Sequence, residues 1–289
     1  MRNSKLTPVI LLLPLMAVTL TVIIACVNVL LQSIGYVPAF GLTKITLGYY
    51  REVFKRPEFL SALWVSLRIA FVSTLLAAAL GTLLCAALVK RRAGGGMLYT
   101  VRFPILVPHT VVALFIMTLL GQTGIVARVA YGLGLISDYT KFPPILFTPG
   151  YGGAIAGYLW KEIPFVAYYT LALMASVSNT LGEAAENLGA SPLRSFFSVT
   201  LPMSLPAVSK AALIIFIYAF GEYELPALLG STLPKALPVQ AYITYLSPDL
   251  LQRPLAMAMF GVILMLSVLM AALYSIGIRR LIKRLGGEA

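Results

Sequence analysis

The stretch Ser178–Pro202 reads SNTLGEAAENLGASPLRSFFSVTLP and lies between two long apolar runs. Thr180 followed three residues later by Glu183 has the form of a capping box, in which each side chain satisfies a free backbone N–H near the other, so a helix is expected to start here. Glu183, Ala184, Ala185 and Leu188 are all acceptable in a helix. Gly189 suits the left-handed residue that ends one, because it has no Cβ to clash. Ser191 then caps a second helix, Pro192 takes its first position, and Pro202 is expected to help break it beyond Val199. The expectation is two short helices about a glycine turn, lying at a membrane surface. The small residues Ala184, Ala185, Gly189 and Ala190 leave room for another surface to approach, and Phe196 and Phe197 are placed to anchor the pair.

The membrane follows from what surrounds this stretch. The 289 residues are 60% hydrophobic and only 11% charged, whereas soluble domains carry about 25% charged residues. Apolar runs cover about 8–31, 60–89, 101–120, 151–177, 205–229 and 254–278. Each is close to or beyond the ~20 residues that a helix needs to cross a bilayer. The chain is therefore expected to be an all-α membrane protein of about six transmembrane helices, one domain over 1–289. The first run is too long for the core of a secretory signal and reads as a retained helix. The net charge of +12 comes from short basic clusters between the runs rather than one patch, which argues for topology and against nucleic acid. Lys90-Arg91-Arg92 and the group Arg279, Arg280, Lys283 and Arg284, with Arg2 and Lys5 before the first run, place both termini in the cytoplasm. Ser178–Pro202 falls on that side. The longer opposite loops, about 32–59, 121–150 and 230–253, face outward. Cys26 and Cys85 each sit alone in an apolar run and read as small hydrophobes, with no metal site or disulfide implied.

Glu183-Ala184-Ala185, Gly189 and Leu201-Pro202 resemble the EAA loop of ABC importer permeases, in which EAA is followed by a glycine at this offset and then by an Ile-x-Leu-Pro; here Val199 stands for the isoleucine. The resemblance spans about 178–203 and extends to the six-span plan of type I importers. It implies a bacterial cytoplasmic (inner) membrane permease with a cytoplasmic coupling helix. Glu183, Ala184, Ala185, Gly189, Ala190, Ser191, Pro192, Leu201 and Pro202 would dock on a dimer of a cytoplasmic ABC ATPase. It further implies a second permease subunit, the same or related, and an external substrate-binding protein. The chain has no GxxxxGK[ST]: Gly94-Gly95-Gly96 is followed by Met97 and Leu98. It is thus not expected to be an enzyme or to bind a cofactor, and ATP and magnesium would sit on the partner ATPase.

Charges at membrane depth cost roughly 2.5–3.5 kcal/mol on insertion scales, so each needs a reason. Trp160, Lys161 and Glu162 precede Pro164 in the fourth run, and Glu222 and Glu224 precede Pro226 in the fifth. Trp160, Lys161, Glu222 and Glu224 are candidates to line a translocation path; an internal ion pair holding helices together is the competing reading. His109, the sole histidine, lies between Pro108 and Thr110, where a hydrogen-bonded residue at a proline kink is favoured over a pH sensor. Gly221–Gly230, reading GEYELPALLG, resembles the permeases that serve polyamines, ferric iron, thiamine, phosphonates and some oxyanions. Polyamine (spermidine or putrescine) is the first expectation, since acids suit a cation. A transporter or channel working without ATP, a membrane enzyme and a scaffold without transport are the rivals, and the first leaves the EAA segment unexplained.

Overall fold

The computed structural model describes residues 7–284, with side chains from 11 to 278. Arg2 and Lys5, and the side chains of Arg279, Arg280, Lys283 and Arg284, on which part of the charge reading rests, lie outside that description. Among the described residues no strand forms, only an isolated bridge between Val37 and Leu42. The helices in chain order are α1 (Thr7–Ser33), α2 (Gly48–Lys55), α3 (Pro57–Lys90), α4 (Gly95–Leu106), α5 (His109–Leu120), α6 (Ile125–Gly132), α7 (Gly152–Val177), α8 (Glu183–Asn187), α9 (Pro192–Ser195), α10 (Leu201–Gly221), α11 (Glu224–Leu229), α12 (Leu237–Tyr245) and α13 (Arg253–Arg284).

Among the described residues five stretches are long and apolar enough to cross a membrane: Leu11–Ser33, Pro57–Lys90, His109–Gly132, Pro192–Gly221 and Leu250–Ile278. Helix α7 is less apolar than these, although its 26 residues are long enough, at about 39 Å, to cross. It carries Lys161 and Glu162 and buries residues from Gly153 to Val177 against protein. A helix shielded by its neighbours need not be apolar all round.

Two runs expected to be single spans are broken. The run 101–120 divides at Val107–Pro108, where both residues are extended, with ψ of 130° and 147°. The proline ring disfavours helical geometry in the residue before it, so α4 ends there and α5 starts anew. The run 205–229 divides at Glu222, whose ψ is 140°. Pro226 then falls in the first turn of α11, where its missing N–H costs little.

The chain forms two compact units. In the first, residues 1–60 and 240–266, Tyr50 donates to Ser33 Oγ at 2.8 Å and its hydroxyl occupies the space that a Cβ on Gly261 of α13 would need. Phe54 and Phe59 meet edge to face at 5.1 Å, and Arg253 stacks on Tyr245 at 4.3 Å. The apolar stretch of α1 is exposed along most of its length within its own chain.

The second unit, residues 61–239 and 267–289, is organised around α7, against which α4, α5, α10 and α11 pack. Helix α3 reaches α7 through small residues at every fourth position, Ala77, Gly81 and Cys85, all buried. Such spacing lets two backbones approach closely in a membrane, where van der Waals contact drives helix association. A Cβ on Gly81 would lie 2.6 Å from Val166 Cβ and 2.8 Å from the Ile163 carbonyl oxygen. Ala77, Val166, Ala211 and Ile215 form one apolar cluster, and Cys85, Leu88, Ala167 and Met174 another.

Candidate functional site

The quoted stretch forms a helical hairpin, and its tip is built as its residues require. Gly189 has φ of +95°. Its N–H donates to Glu186 O at 2.9 Å and the next N–H, of Ala190, reaches Ala185 O at 3.0 Å. These are the two bonds of a Schellman ending. Ser191 Oγ accepts from Arg194 N at 3.3 Å with Pro192 in the first position, as a cap should.

The hairpin's outer ends differ from expectation. Thr180 starts no helix: its hydroxyl donates back to Ser176 O at 2.8 Å. Helix α7 runs straight on through a π-turn, Ser178–Gly182, into α8. A capping box needs a backbone that has left the helix, and here Val177 and Ser178 are still helical. Pro202 breaks nothing either. It sits in the first turn of α10, just past a second π-turn, Phe196–Thr200. A π-turn widens the ladder, which leaves room for the proline ring and a place for its missing N–H. The two π-turns pack on each other: Ser195 Oγ donates to Gly182 O at 3.0 Å, and a Cβ on Gly182 would lie 3.2 Å from Thr200 Oγ1. The hairpin thus continues α7 and α10 without a break in the helical backbone at either π-turn.

Glu183, Ala184, Gly189, Ser191, Pro192 and Pro202 are exposed, while Ala185, Ala190 and Leu201 are half-buried. Leu188, 90% exposed, and Leu193, 72% exposed, flank the turn and complete an apolar tip. Their signal in the sequence is two leucines either side of a glycine turn among polar residues. Phe196 packs against the cluster of Cys85, Leu88, Ala167 and Met174, whereas Phe197 stays exposed, so one aromatic anchors and the other does not. Arg92, at the end of α3, approaches Glu183 at 3.6 Å.

The second group of residues lies at the two helix breaks, about 30 Å along α7 and α10 from the hairpin. Lys161 of α7 is buried and donates to Val107 O at 2.6 Å. That carbonyl stands at the end of α4, where it has no helical donor. Tyr158, one turn earlier on the same face of α7, donates to Glu222 Oε2 at 2.6 Å. Glu222 in turn accepts from Glu224 N at 2.6 Å and Leu225 N at 3.2 Å, capping α11 with a carboxylate. His109 Nδ1 lies 3.5 Å from Lys161 Nζ and its ring nitrogens 3.2 Å from Tyr218 Oη, which ties the start of α5 to α7 and α10.

A cation therefore sits at the carbonyl end of one half-helix and an anion at the amide end of another, which is the favourable placement for each. The structure forms two bonded sets, Lys161 with Val107 O and with His109, which meets Tyr218, and Glu222 with Tyr158 and the amides of α11; Tyr158, His109 and Tyr218 were not assigned to the path from sequence. Trp160 is directed elsewhere, onto Phe115 at 5.3 Å. Glu224 is exposed beside the network, and Glu162 is buried next to Lys161. Among the described residues no group of His, Cys, Asp and Glu could hold a metal ion.

Residues 75–285 match the family described as "Binding-protein-dependent transport system inner membrane component". The Molybdenum transport system permease protein ModB of Haemophilus influenzae is 24% identical over 78% of this chain and 96% of its own length. The Putrescine transport system permease protein PotI of Escherichia coli is 24% identical over 67% of this chain and 64% of its own. Among solved structures, a chain of the bacterial alginate ABC transporter, crystallised with alginate pentasaccharide-bound periplasmic protein, superposes with a TM-score of 0.72 at 20% identity. That superposition covers 96% of this chain and 98% of the other.

Proposed function

The chain belongs to the binding-protein-dependent transport system inner membrane components, the permease subunits of type I ABC importers, and from that premise we propose how its two groups of residues work together. The hairpin at 183–192, facing the cytoplasm as both termini do, docks on a separate ATPase dimer that holds ATP and magnesium. A second permease subunit completes the path and an external binding protein delivers the solute. Closure of the ATPases moves the hairpin, and α7 and α10 carry that motion to the helix breaks. Rigid elements about a midplane site of discontinuous helices are a recurring basis of alternating access.

The observation that carries this reading is the continuity of both helices through their π-turns into the hairpin. A hairpin capped off from its spans would act as a loose joint. Here displacement at Gly189 passes along continuous helix toward Tyr158 and Lys161, with Pro164 inside α7 and Pro206 inside α10 on the way.

For the cargo, a polyamine is the first solute to test. Exposed Glu224 beside the break and the putrescine permease relative support it. Glu222 lends less support than its charge suggests, because backbone amides and Tyr158 already hold its oxygens. The molybdenum permease relative makes an oxyanion the alternative. Proteoliposomes carrying the permease with its ATPase and binding protein are expected to show ATP-dependent putrescine uptake. Uptake of molybdate but not putrescine would reverse the choice of cargo. Solute movement by the chain alone, without ATPase or ATP, would refute the importer role.

A further inference from the structure

Arg102 belongs to neither group described above. It lies on α4 amid exposed apolar side chains, Phe103 at 62% and Leu106 at 80% exposure. The Arg102 guanidinium carbon stands 4.7 Å from the ring centroid of Tyr168 on α7 and 5.7 Å from that of Tyr99, one turn back on α4. Both distances are within cation–π reach, and a guanidinium that rests on aromatic faces can still offer its N–H fork to an anion. Among the described residues no carboxylate forms an ion pair with Arg102.

Depth decides what meets that edge. Arg102 is seven residues past the start of α4, and Tyr168 nine residues before the end of α7. These correspond to about 10 and 14 Å along the helices. Both positions lie toward the same membrane face, the one with Lys90, Arg91 and the hairpin. A charge within an apolar surface at that depth is costly unless it reaches the headgroup layer or finds a counter-charge there.

We propose that Arg102, held between Tyr99 and Tyr168, binds the phosphate of an anionic phospholipid in the leaflet on the hairpin side. The guanidinium fork matches two phosphate oxygens, as it does a carboxylate. The exposed Phe103 and Leu106 lie where acyl chains run, which selects a lipid over a free anion. The ligand would bridge α4 and α7, the two helices that carry the first break and its lysine.

The test is native mass spectrometry of the detergent-extracted importer assembly after equilibration with vesicles of phosphatidylglycerol and phosphatidylethanolamine. The wild type is expected to retain phosphatidylglycerol preferentially. Arg102→Gln should lower that preference about fivefold, the worth of one basic side chain at an anionic surface. Arg102→Lys keeps the charge without the fork and should fall between, and Tyr168→Phe should bind as wild type while Tyr168→Ala does not. An unchanged lipid preference in Arg102→Gln would overturn the proposal. Displacement of the lipid by millimolar inorganic phosphate would also overturn it, in favour of a free-anion site. Separation of the permease pair in Arg102→Gln, with lipid retention unaltered, would reassign the side chain to a subunit contact.

Discussion

Replacing Glu222 with glutamine separates a structural carboxylate from one that lines a path. Glu222 accepts three strong hydrogen bonds, from Tyr158 Oη and Glu224 N, each at 2.6 Å, and from Leu225 N at 3.2 Å. Glutamine keeps one acceptor oxygen and turns an amide NH2 toward donors. One charge-assisted bond is lost outright, at about 1.5–3 kcal/mol, and the others weaken with the charge, so the cost is roughly 2–4 kcal/mol. Tyr158→Phe removes only the phenol and should cost about 1.5–3 kcal/mol. Because the two side chains share one bond, the double variant should cost less than the sum of the singles by about 1 kcal/mol or more. The assay is a thermal melt of the purified chain in mild detergent, where the glutamine variant should melt roughly 5–10 °C lower. Competition by unlabelled substrate should be unchanged in whatever uptake remains. A Glu222→Gln chain that melts as wild type but shows altered solute selectivity would refute the capping argument and return Glu222 to the path.

Gly189→Val should leave membrane insertion intact and abolish coupling. No atom lies within 4 Å of the added Cβ, so the cost is the left-handed backbone alone, about 1–2 kcal/mol and local to the hairpin; loss of solute-stimulated ATPase activity measures it, and full transport would refute it. Gly81→Ala should destabilise by about 1–3 kcal/mol, because its Cβ meets Val166 and the Ile163 carbonyl, and Gly81→Leu should prevent accumulation of folded protein, as read by size-exclusion profiles. Lys161→Met should leave the Val107 carbonyl without its donor and lower stability by about 1–3 kcal/mol, while Lys161→Gln recovers part of that loss in the same melt. A cysteine added at either terminus should resist membrane-impermeant labelling in intact cells; external labelling would refute the cytoplasmic placement of that terminus.

Much of this protein was legible in its chain because the signals are local or compositional. Apolar runs longer than a bilayer is thick announce spanning helices, since backbone groups in lipid must be bonded within their own segment. The turn at Gly189 and the cap at Ser191 were legible because each depends on a residue and its near neighbours. The EAA spacing gave the family for the same reason. What sequence missed depends on partners far along the chain. Thr180 and Glu183 have the spacing of a capping box, but α7 continues through them because the π-turns lock together through Ser195 and Gly182, thirteen residues apart. Pro202 has the chemistry of a helix breaker, but the preceding π-turn accommodates its ring. Lys161 and Glu222 read from sequence either as path-lining charges or as an internal ion pair, and only the folded arrangement gives them Val107 O and the first amides of α11. The sequence alone determined that the chain crosses the membrane and where its hairpin turns, because hydrophobic length and backbone chirality are properties of short segments. The tertiary structure alone decided which helices run on, which break and which charges are already hydrogen-bonded, because an unsatisfied backbone group or a buried charge takes whichever partner the packing brings within bonding distance.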